Sequence, residues 1–141
     1  MNIVLSVLTH SDVQNARDAI VQGFLGNSTG TANCAIKTTE VYSICMGVVI
    51  AVGEDIKKRT YTVTVELDSQ HWIRYSNLKK CCIEVGDNID IETHIGTASG
   101  NLVRLEYCTA KESQFPVREG GRELYKQDPT PIIFNSSFED A

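Results

Sequence analysis

The residue types that bind transition metals are present in this sequence, but their spacing forms no known ligand motif. His10, His71 and His94 are far apart, and no HxH, HxxxH or His–carboxylate pair occurs at ligand spacing. Glycine-rich phosphate loops and a GxSxG nucleophile motif are also missing. A zinc site assembled from distant residues and a Ser or Cys nucleophile with a histidine base both stay open as alternatives. The residues alone predict a β-rich domain without a recognisable catalytic apparatus.

The cysteine pattern does not indicate a disulfide framework or a zinc ribbon. The chain has 5 cysteines, an odd number, and no CxxC pair. Two of them are adjacent in the sequence. We therefore expect reduced thiols in a protein made in the cytosol. The cysteines are Cys34, Cys45, Cys81, Cys82 and Cys108.

Composition and charge exclude several classes of function. The 141 residues are 42% hydrophobic and 22% charged, which is ordinary for one folded domain. The net charge of −5 argues against sequence-independent nucleic-acid binding and against adhesion to an anionic membrane. No apolar run approaches the ~20 residues of a spanning helix. The start, MNIVLSVLTHSD, has no basic residue before its apolar run, so we expect a strand over 2–9 rather than an export signal.

The chain changes its hydrophobic period near residue 30. Ser11 and Gln14 form a capping box, and an apolar stripe follows at helical spacing, which predicts one amphipathic helix over 11–25. Residues 41–108 instead alternate with a period of two and carry frequent turn signals. This pattern predicts an all-β meander that closes into a barrel or sandwich.

The C-terminal part differs in composition from the meander. Prolines and glycines interrupt residues 113–141, and the segment 121–127 (GRELYKQ) predicts one or two helical turns. Residues 132–134 follow a proline break and are expected to dock on the barrel. We therefore divide the chain into an N-terminal strand and helix (1–28), a β core (29–110) and a C-terminal docking segment with a tail (111–141).

Four consecutive runs, VYSICMGVV, YTVTVELDSQHWIRYSNLKK, VGDNIDIETHIGTASG and LVRLEY, lie within residues 41–107. In this order they resemble the lysostaphin-type, or LytM-type, zinc endopeptidases that cut peptidoglycan cross-bridges. Typical family motifs are V-x-A-x-x-x-G-x-V, Y-x-H-L, V-G-D-x-V-x-x-G-x-x-I-G-x-x-G and H-L-H-F-E. The resemblance implies a mainly β, LytM-like barrel or sandwich (the duplicated hybrid motif). Its glycines Gly47, Gly86 and Gly96 are kept, whereas the middle glycine of the third motif is missing.

The departures from the family pattern fall on its zinc site. The H-x-G-x-D ligand loop corresponds to residues 26–39, which contain no His and no carboxylate. Leu102 and Arg104 stand at the two His positions of H-L-H-F-E, and Asn77 stands at the His of Y-x-H-L. Arginine has no lone pair to donate and would repel a divalent ion. The resemblance therefore implies a degenerate domain, and we expect no catalytic residue, no metal and no other cofactor.

The remaining candidate residues have a structural and a functional interpretation. Arg104 is expected to form an ion pair with Glu66 or Glu106, or to hold a partner's carboxylate in the relic groove. Trp72, Tyr75 and Glu106 are candidate groove or partner contacts, although both aromatic residues are also typical of a core or its rim. His71 and His94 are expected at the surface or half-buried on strands.

These observations predict a non-catalytic structural module derived from a peptidoglycan endopeptidase. By analogy with the family, we expect a component of a phage tail tip, baseplate or contractile injection particle. Its partners would be other protein subunits, with peptidoglycan as a further candidate, and not nucleic acid or membrane. It would be made in the cytoplasm and located in the particle. One alternative is an inactive regulator that docks on a cell-wall amidase, and another is a divergent hydrolase whose metal is held by His71, His94 or cysteines.

Overall fold

A computed structural model describes residues 34–128 of the chain, together with the backbone of three short strands outside that range. Within this part, the regular structure is β-strand apart from a single 3-10 turn at Ser99–Asn101. The strands are β1 (Asn2–Ile3), β2 (Ile20–Gln22), β3 (Cys34–Lys37), β4 (Glu40–Tyr42), β5 (Gly47–Asp55), β6 (Thr60–Asp68), β7 (His71–Cys81), β8 (Asn88–Ile89), β9 (His94–Ala98), β10 (Leu102–Thr109), β11 (Pro116–Glu119), β12 (Arg122–Gln127) and β13 (Phe138–Glu139).

Eleven of these strands form one antiparallel sheet, with the order β11-β12-β10-β7-β6-β5-β8 along its main path. Strand β7 is central because its first part pairs with β10 and its last part pairs with β9. Strand β10 divides its other edge between β3 and β12. Strands β1 and β13 form a separate two-stranded ladder. The mainly β architecture predicted from the alternating middle of the sequence is confirmed.

Side chains along β6, β7 and β10 alternate between a core face and a polar face. Cross-strand partners in an antiparallel sheet point to the same face, so the register places Arg104 beside Ser76 and Glu106 beside Arg74. The polar face carries Thr62, Thr64, Arg74, Ser76, Arg104 and Glu106. The core face is fully buried and carries Val63, Val65, Ile73, Tyr75, Val103 and Leu105. Burial stabilises the fold by about 1.5–3 kcal/mol for each large apolar side chain.

Two glycines of the family motifs lie where another backbone segment comes close. A Cβ atom on Gly96 would lie 2.1 Å from the carbonyl oxygen of Lys80. A Cβ atom on Gly47 would lie 2.4 Å from the carbonyl oxygen of Glu66. Both positions therefore need a residue without a side chain, and this explains why the motif glycines accompany the fold.

The prediction of a helix over residues 11–25 is wrong for its later part. Ile20–Gln22 forms strand β2, which pairs antiparallel with β3. The register places Ile20 opposite Ile36, so pairing with a distant strand overrides the local helical period. The rest of the predicted helix lies outside the described residues. Strand β1 falls within the strand predicted over 2–9, of which 4–9 are also outside them.

The prediction of helical turns in residues 121–127 is also wrong. Strands β11 and β12 form a hairpin around Gly120 and Gly121, whose φ angles are +57° and +79°. Two consecutive positive φ angles are typical of a type I′ hairpin turn, which pairs of glycines favour. Strand β12 then pairs with β10, and its Leu124 is buried. The expected docking segment at 132–134 lies outside the described residues.

In the described part of the chain, no helix combines the length and the apolar character that crossing a membrane requires.

Candidate functional site

A cavity of about 340 Å³ opens on the polar face of the sheet. Its floor belongs to β6, β7 and β10, and its walls belong to the β5–β6 turn and to β12. We call it the Arg104 cavity, after the residue at the predicted relic metal position. The floor is lined by Thr60, Thr62, Arg74, Ser76, Asn77, Arg104 and Glu106, and the walls are lined by Asp55, Lys58 and Lys126.

Of the three relic positions named from the motifs, two line this cavity. Asn77 and Arg104 both line it. Asn77 has a φ of +65°, and its side-chain amide donates hydrogen bonds to the carbonyl oxygens of Leu102 at 2.7 Å and Ser99 at 3.1 Å. Asn77 therefore ties the end of β7 to the backbone that leads into β10. Its amide nitrogen acts as a structural donor there, where the family motif has a histidine.

The residues of the cavity do not fit the zinc ion that the resemblance implies. No histidine lines the described cavity, and the Arg104 guanidinium cannot act as a metal ligand. Of the two lining carboxylates, Glu106 forms ion pairs with Arg74 and Lys126. Across residues 34–128, no three His, Cys, Asp or Glu side chains are grouped closely enough to hold a metal ion. The described donor set therefore supports no zinc-dependent step.

The two described histidines lie away from the cavity, at the starts of different strands. His71 Nδ1 lies 2.7 Å from Asp68 Oδ1, and His94 Nε2 lies 2.6 Å from Glu40 Oε2. Burial opposes ionisation of Asp68, but hydrogen bonds from the Gln70 N–H and from His71 together outweigh it and hold the pKa of Asp68 below its usual value. Each histidine thus has a single carboxylate partner, which is fewer protein ligands than a zinc site requires.

Next to the cavity, an ion-pair network joins the polar face of the sheet to the β11–β12 hairpin. Arg74 Nη1 lies 2.7 Å from Glu106 Oε1, and Arg74 Nη2 lies 3.1 Å from Glu119 Oε1. Lys126 forms a second ion pair with Glu106. The Thr64 hydroxyl donates to Glu119 Oε1 at 3.0 Å. Because Glu119 belongs to β11 and Thr64 to β6, the sheet must curl until the β11–β12 hairpin covers this part of the face.

The structure assigns the central arginine of this network to Arg74, which the sequence analysis did not single out. Glu106, a predicted partner of Arg104, contacts Arg74 and Lys126. Glu66, the other predicted partner, accepts a hydrogen bond from Trp72 Nε1 at 2.9 Å. Arg74 lies two residues from both Trp72 and Ser76 on β7, so the alternation in the sequence places all three on one face of the sheet. It does not indicate that Arg74 pairs with Glu106 on β10.

Trp72 and Tyr75 do not line the cavity, which corrects their assignment as candidate groove contacts. Both side chains are fully buried. Trp72 packs with Cys108 and Leu124 under the hairpin, and the Arg122 guanidinium lies 4.9 Å from its ring centre. Tyr75 lies in the main core, where its hydroxyl accepts a hydrogen bond from the Ile44 N–H at 3.1 Å. Both are core residues, as the alternative interpretation held.

The buried cysteines lack the features of a nucleophile. All 5 cysteines have free thiols, and Cys34, Cys45 and Cys108 are buried. Burial raises the pKa of Cys45 to about 11 and the pKa of Cys108 to about 12. The thiolate is the reactive form of cysteine, so these two side chains are inert at neutral pH. The backbone N–H of Cys45 donates a hydrogen bond to the Ser43 hydroxyl, and its thiol lies 3.8 Å from the Tyr75 hydroxyl. Neither partner is a histidine that could act as a base.

The sequence matches no protein-family model, and it has no significant match among curated proteins. Solved structures are similar in fold. Lysostaphin from Staphylococcus simulans superposes with a TM-score of 0.66 at 16% identity, over 83% of this chain and 49% of that chain. A zinc-containing peptidase from Vibrio cholerae gives a TM-score of 0.54 at 22% identity, over 62% of this chain and 32% of that chain. A chain of the SpoIIIAH–SpoIIQ complex gives a TM-score of 0.54 at 20% identity, over 88% of this chain and 85% of that chain.

These similarities define the class of fold. The chain has the fold of the lysostaphin-type, or LytM-type, peptidase domains, as the sequence motifs predicted. It spans about half the length of the lysostaphin chain that it matches. One of these structures is a zinc-containing peptidase, whereas the described residues of this chain contain no group of side chains that could hold a metal ion.

Proposed function

We propose that the chain is a non-catalytic module of lysostaphin-type fold that works by binding other protein subunits. The observation that carries this proposal is the position of Arg104. It lines the floor of the cavity on β10, where the motif comparison puts a metal-binding histidine of the family. A permanent cation at that position opposes binding of a divalent ion, while the apolar core of the fold is intact.

The larger assembly that we propose is a phage tail tip, a baseplate or a contractile injection particle, with the chain located in that particle. Two observations are compatible with a binding role. A chain of similar fold belongs to a complex of two proteins, SpoIIIAH and SpoIIQ. The net charge of −5 favours protein partners over nucleic acid.

Native mass spectrometry of the purified chain, with and without added zinc, is the first test. We expect a metal-free species, either a monomer or a closed ring of 15.6 kDa subunits. The same preparation should release no soluble muropeptides from purified peptidoglycan. One zinc ion per chain together with muropeptide release would overturn the proposal in favour of a divergent hydrolase.

The variant Arg104→His makes this test sharper. We expect it to restore no activity, because residues 26–39 still lack the other two zinc ligands of the family. Asn77 and Leu102 also still replace the two further histidines of the family motifs. Lys111→Gln, at an exposed position outside the cavity, is the matched control. Zinc-dependent cleavage by the Arg104→His variant would contradict the non-catalytic assignment.

A second candidate function is that the chain regulates a cell-wall amidase by binding it. The observation that a chain of similar fold belongs to a complex of two proteins is compatible with this role as well. An amidase assay with and without the chain separates the two roles. Activation at a stoichiometric ratio supports the regulator, whereas an unchanged rate together with a self-assembled ring supports the structural module.

A further inference from the structure

We propose that the Arg104 cavity binds a single carboxylate group carried by a peptide segment of a binding partner. The inference rests on the proposed function, because it assumes that a partner rather than a substrate occupies the former catalytic groove. It names the chemistry by which that partner is recognised.

The charge around the cavity matches a monoanion. Four cations line it, in a chain whose overall charge is negative: Lys58, Arg74, Arg104 and Lys126. Three carboxylates offset them, namely Asp55 and Glu106 in the lining and Glu119, which pairs with Arg74. Among these seven groups the cations outnumber the carboxylates by one, an excess that a carboxylate would neutralise and a doubly charged phosphate would exceed.

The cavity also offers hydroxyl groups that have no other role. Thr60 is only 7% exposed, yet its hydroxyl makes no hydrogen bond within the described part of the chain. The hydroxyl of Thr62, the next residue on the same face of β6, likewise has none among the described residues. A buried hydroxyl without a partner is unfavourable in a folded protein, so it indicates a missing acceptor. A ligand oxygen in the cavity would supply that acceptor.

Two of the lining cations are held in place before any ligand arrives. Arg74 and Lys126 are fixed by their ion pairs with Glu106, whose side chain is only 5% exposed. Thr64 further fixes Arg74 by accepting a hydrogen bond from its Nε at 3.3 Å. A preorganised site loses less conformational entropy on binding than a flexible one. Arginine is also the side chain best suited to bind a carboxylate through two parallel hydrogen bonds.

An NMR titration of the full chain tests this inference without any identified partner. The probes are N-acetyl-alanyl-alanine with a free carboxylate, the same dipeptide as its C-terminal amide, and inorganic phosphate, all at constant ionic strength. We expect saturable shifts of the Thr62, Ser76 and Arg104 signals with the free carboxylate, and a dissociation constant on the order of 1 mM. The amide should bind at least about tenfold more weakly.

Two variants at position 104 and one control assign the contact. Arg104→Gln should abolish saturable binding of the carboxylate, and Arg104→Lys should weaken it, because lysine keeps the charge but loses the planar pair of donors. Lys111→Gln removes an exposed cation outside the cavity and should bind as the natural chain does. If Arg104→Gln does not fold, Arg104→Lys still distinguishes a guanidinium contact from a diffuse charge effect.

Several results would overturn the inference. Equal binding of the acid and the amide would exclude recognition of the carboxylate. Tighter binding of phosphate than of the dipeptide would exclude selection for a monoanion. Absence of saturable shifts, or unchanged binding by Arg104→Gln, would exclude this site. None of these outcomes bears on catalysis, whereas zinc-dependent cleavage overturns the proposed function and leaves the binding data interpretable.

Discussion

Arg74 on β7 and Glu106 on β10 face each other across the sheet with 2.7 Å between Nη1 and Oε1, and both are largely removed from solvent. The same arginine reaches Glu119 on β11, and the same glutamate reaches Lys126 on β12. This pair therefore joins the centre of the sheet to the hairpin that covers half of the polar face. The Arg74–Glu106 pair lies at the border between the part of the polar face that the hairpin covers and the part that opens into the Arg104 cavity.

Replacing Arg74 should destabilise the fold strongly. Arg74→Met leaves Glu119 without its cation and Glu106 with Lys126 alone, and removing one partner of a buried ion pair costs about 3–5 kcal/mol. We expect a loss of about 3 kcal/mol in the free energy of unfolding, measured with urea, because Lys126 still compensates part of the charge. The double variant Arg74→Met, Glu106→Leu should recover part of this loss. A loss below about 1 kcal/mol would show that the pair behaves like an exposed surface pair.

Gly96 and Gly53 provide a matched pair of substitutions in two strands. A Cβ at Gly96 would lie 2.1 Å from the Lys80 carbonyl oxygen, whereas a Cβ at Gly53 meets nothing within 4 Å. Gly96→Ala should therefore lower the free energy of unfolding by about 3 kcal/mol, at the upper end of the range for overpacking. Gly53→Ala should leave it unchanged or raise it by about 0.5 kcal/mol. Similar stability of the two variants in urea would contradict the close approach of β7 and β9.

Glu92 occupies the position of the missing middle glycine in the V-G-D motif, and its φ of +75° is in the left-handed region. This conformation costs a non-glycine residue about 1–2 kcal/mol, of which glycine's greater flexibility in the unfolded chain offsets about half. Glu92→Gly should raise the free energy of unfolding by up to about 1 kcal/mol. The control Glu92→Ala removes the same carboxylate but keeps a Cβ, so it should not stabilise. Equal stabilisation by both variants would point to the carboxylate and not to the backbone.

The motifs and the alternation of residues 41–108 were enough to predict the class of fold, because strand faces and motif glycines are local features of the sequence. Asn77 and Arg104, which the motifs singled out, both line the Arg104 cavity. The helix predicted over 11–25 failed at Ile20–Gln22 because pairing with β3 depends on residues distant in the sequence. Three features depend on how far the sheet curls: the hairpin at Gly120–Gly121, the Arg74–Glu106 pair and the role of Thr60. The curl of the sheet cannot be predicted from the alternation of apolar and polar residues in the sequence.

The thiols should differ sharply in reactivity. Cys82 is exposed, whereas Cys45 and Cys108 are buried with raised pKa values. Brief iodoacetamide treatment of the native chain, followed by peptide mass mapping, should modify Cys82 and spare both buried thiols. In denaturant all 5 cysteines should react. Fast native modification of Cys108 would contradict its burial under the hairpin.

The same raised pKa values predict a loss of stability in alkali. A group whose pKa is higher in the folded than in the unfolded chain stabilises the fold below its ordinary pKa, and this contribution is lost as the pH rises toward the folded value. For Cys45 the ordinary value is 9.0 and the folded value is about 11. The urea midpoint should therefore fall above pH 9, and Cys45→Ala should show a smaller relative fall over that range. An equal pH dependence in the variant would contradict the assignment.

Thr60→Val should affect stability and binding in opposite directions. Valine has nearly the same shape as threonine and favours β-strands, and it removes a buried hydroxyl that lacks a partner in the described residues. Relief of an unpaired buried polar group should raise the free energy of unfolding by about 1 kcal/mol. The same substitution should weaken binding of N-acetyl-alanyl-alanine in the NMR titration, because the hydroxyl can no longer donate to the carboxylate. Thr109→Val serves as the contrast, since the Thr109 hydroxyl accepts hydrogen bonds from Gln127 Nε2 and Lys111 N and should be costly to remove. A Thr60 variant that is less stable and binds the dipeptide unchanged would mean that the hydroxyl serves the fold. The binding site would then rest on its charge and its preorganised cations alone.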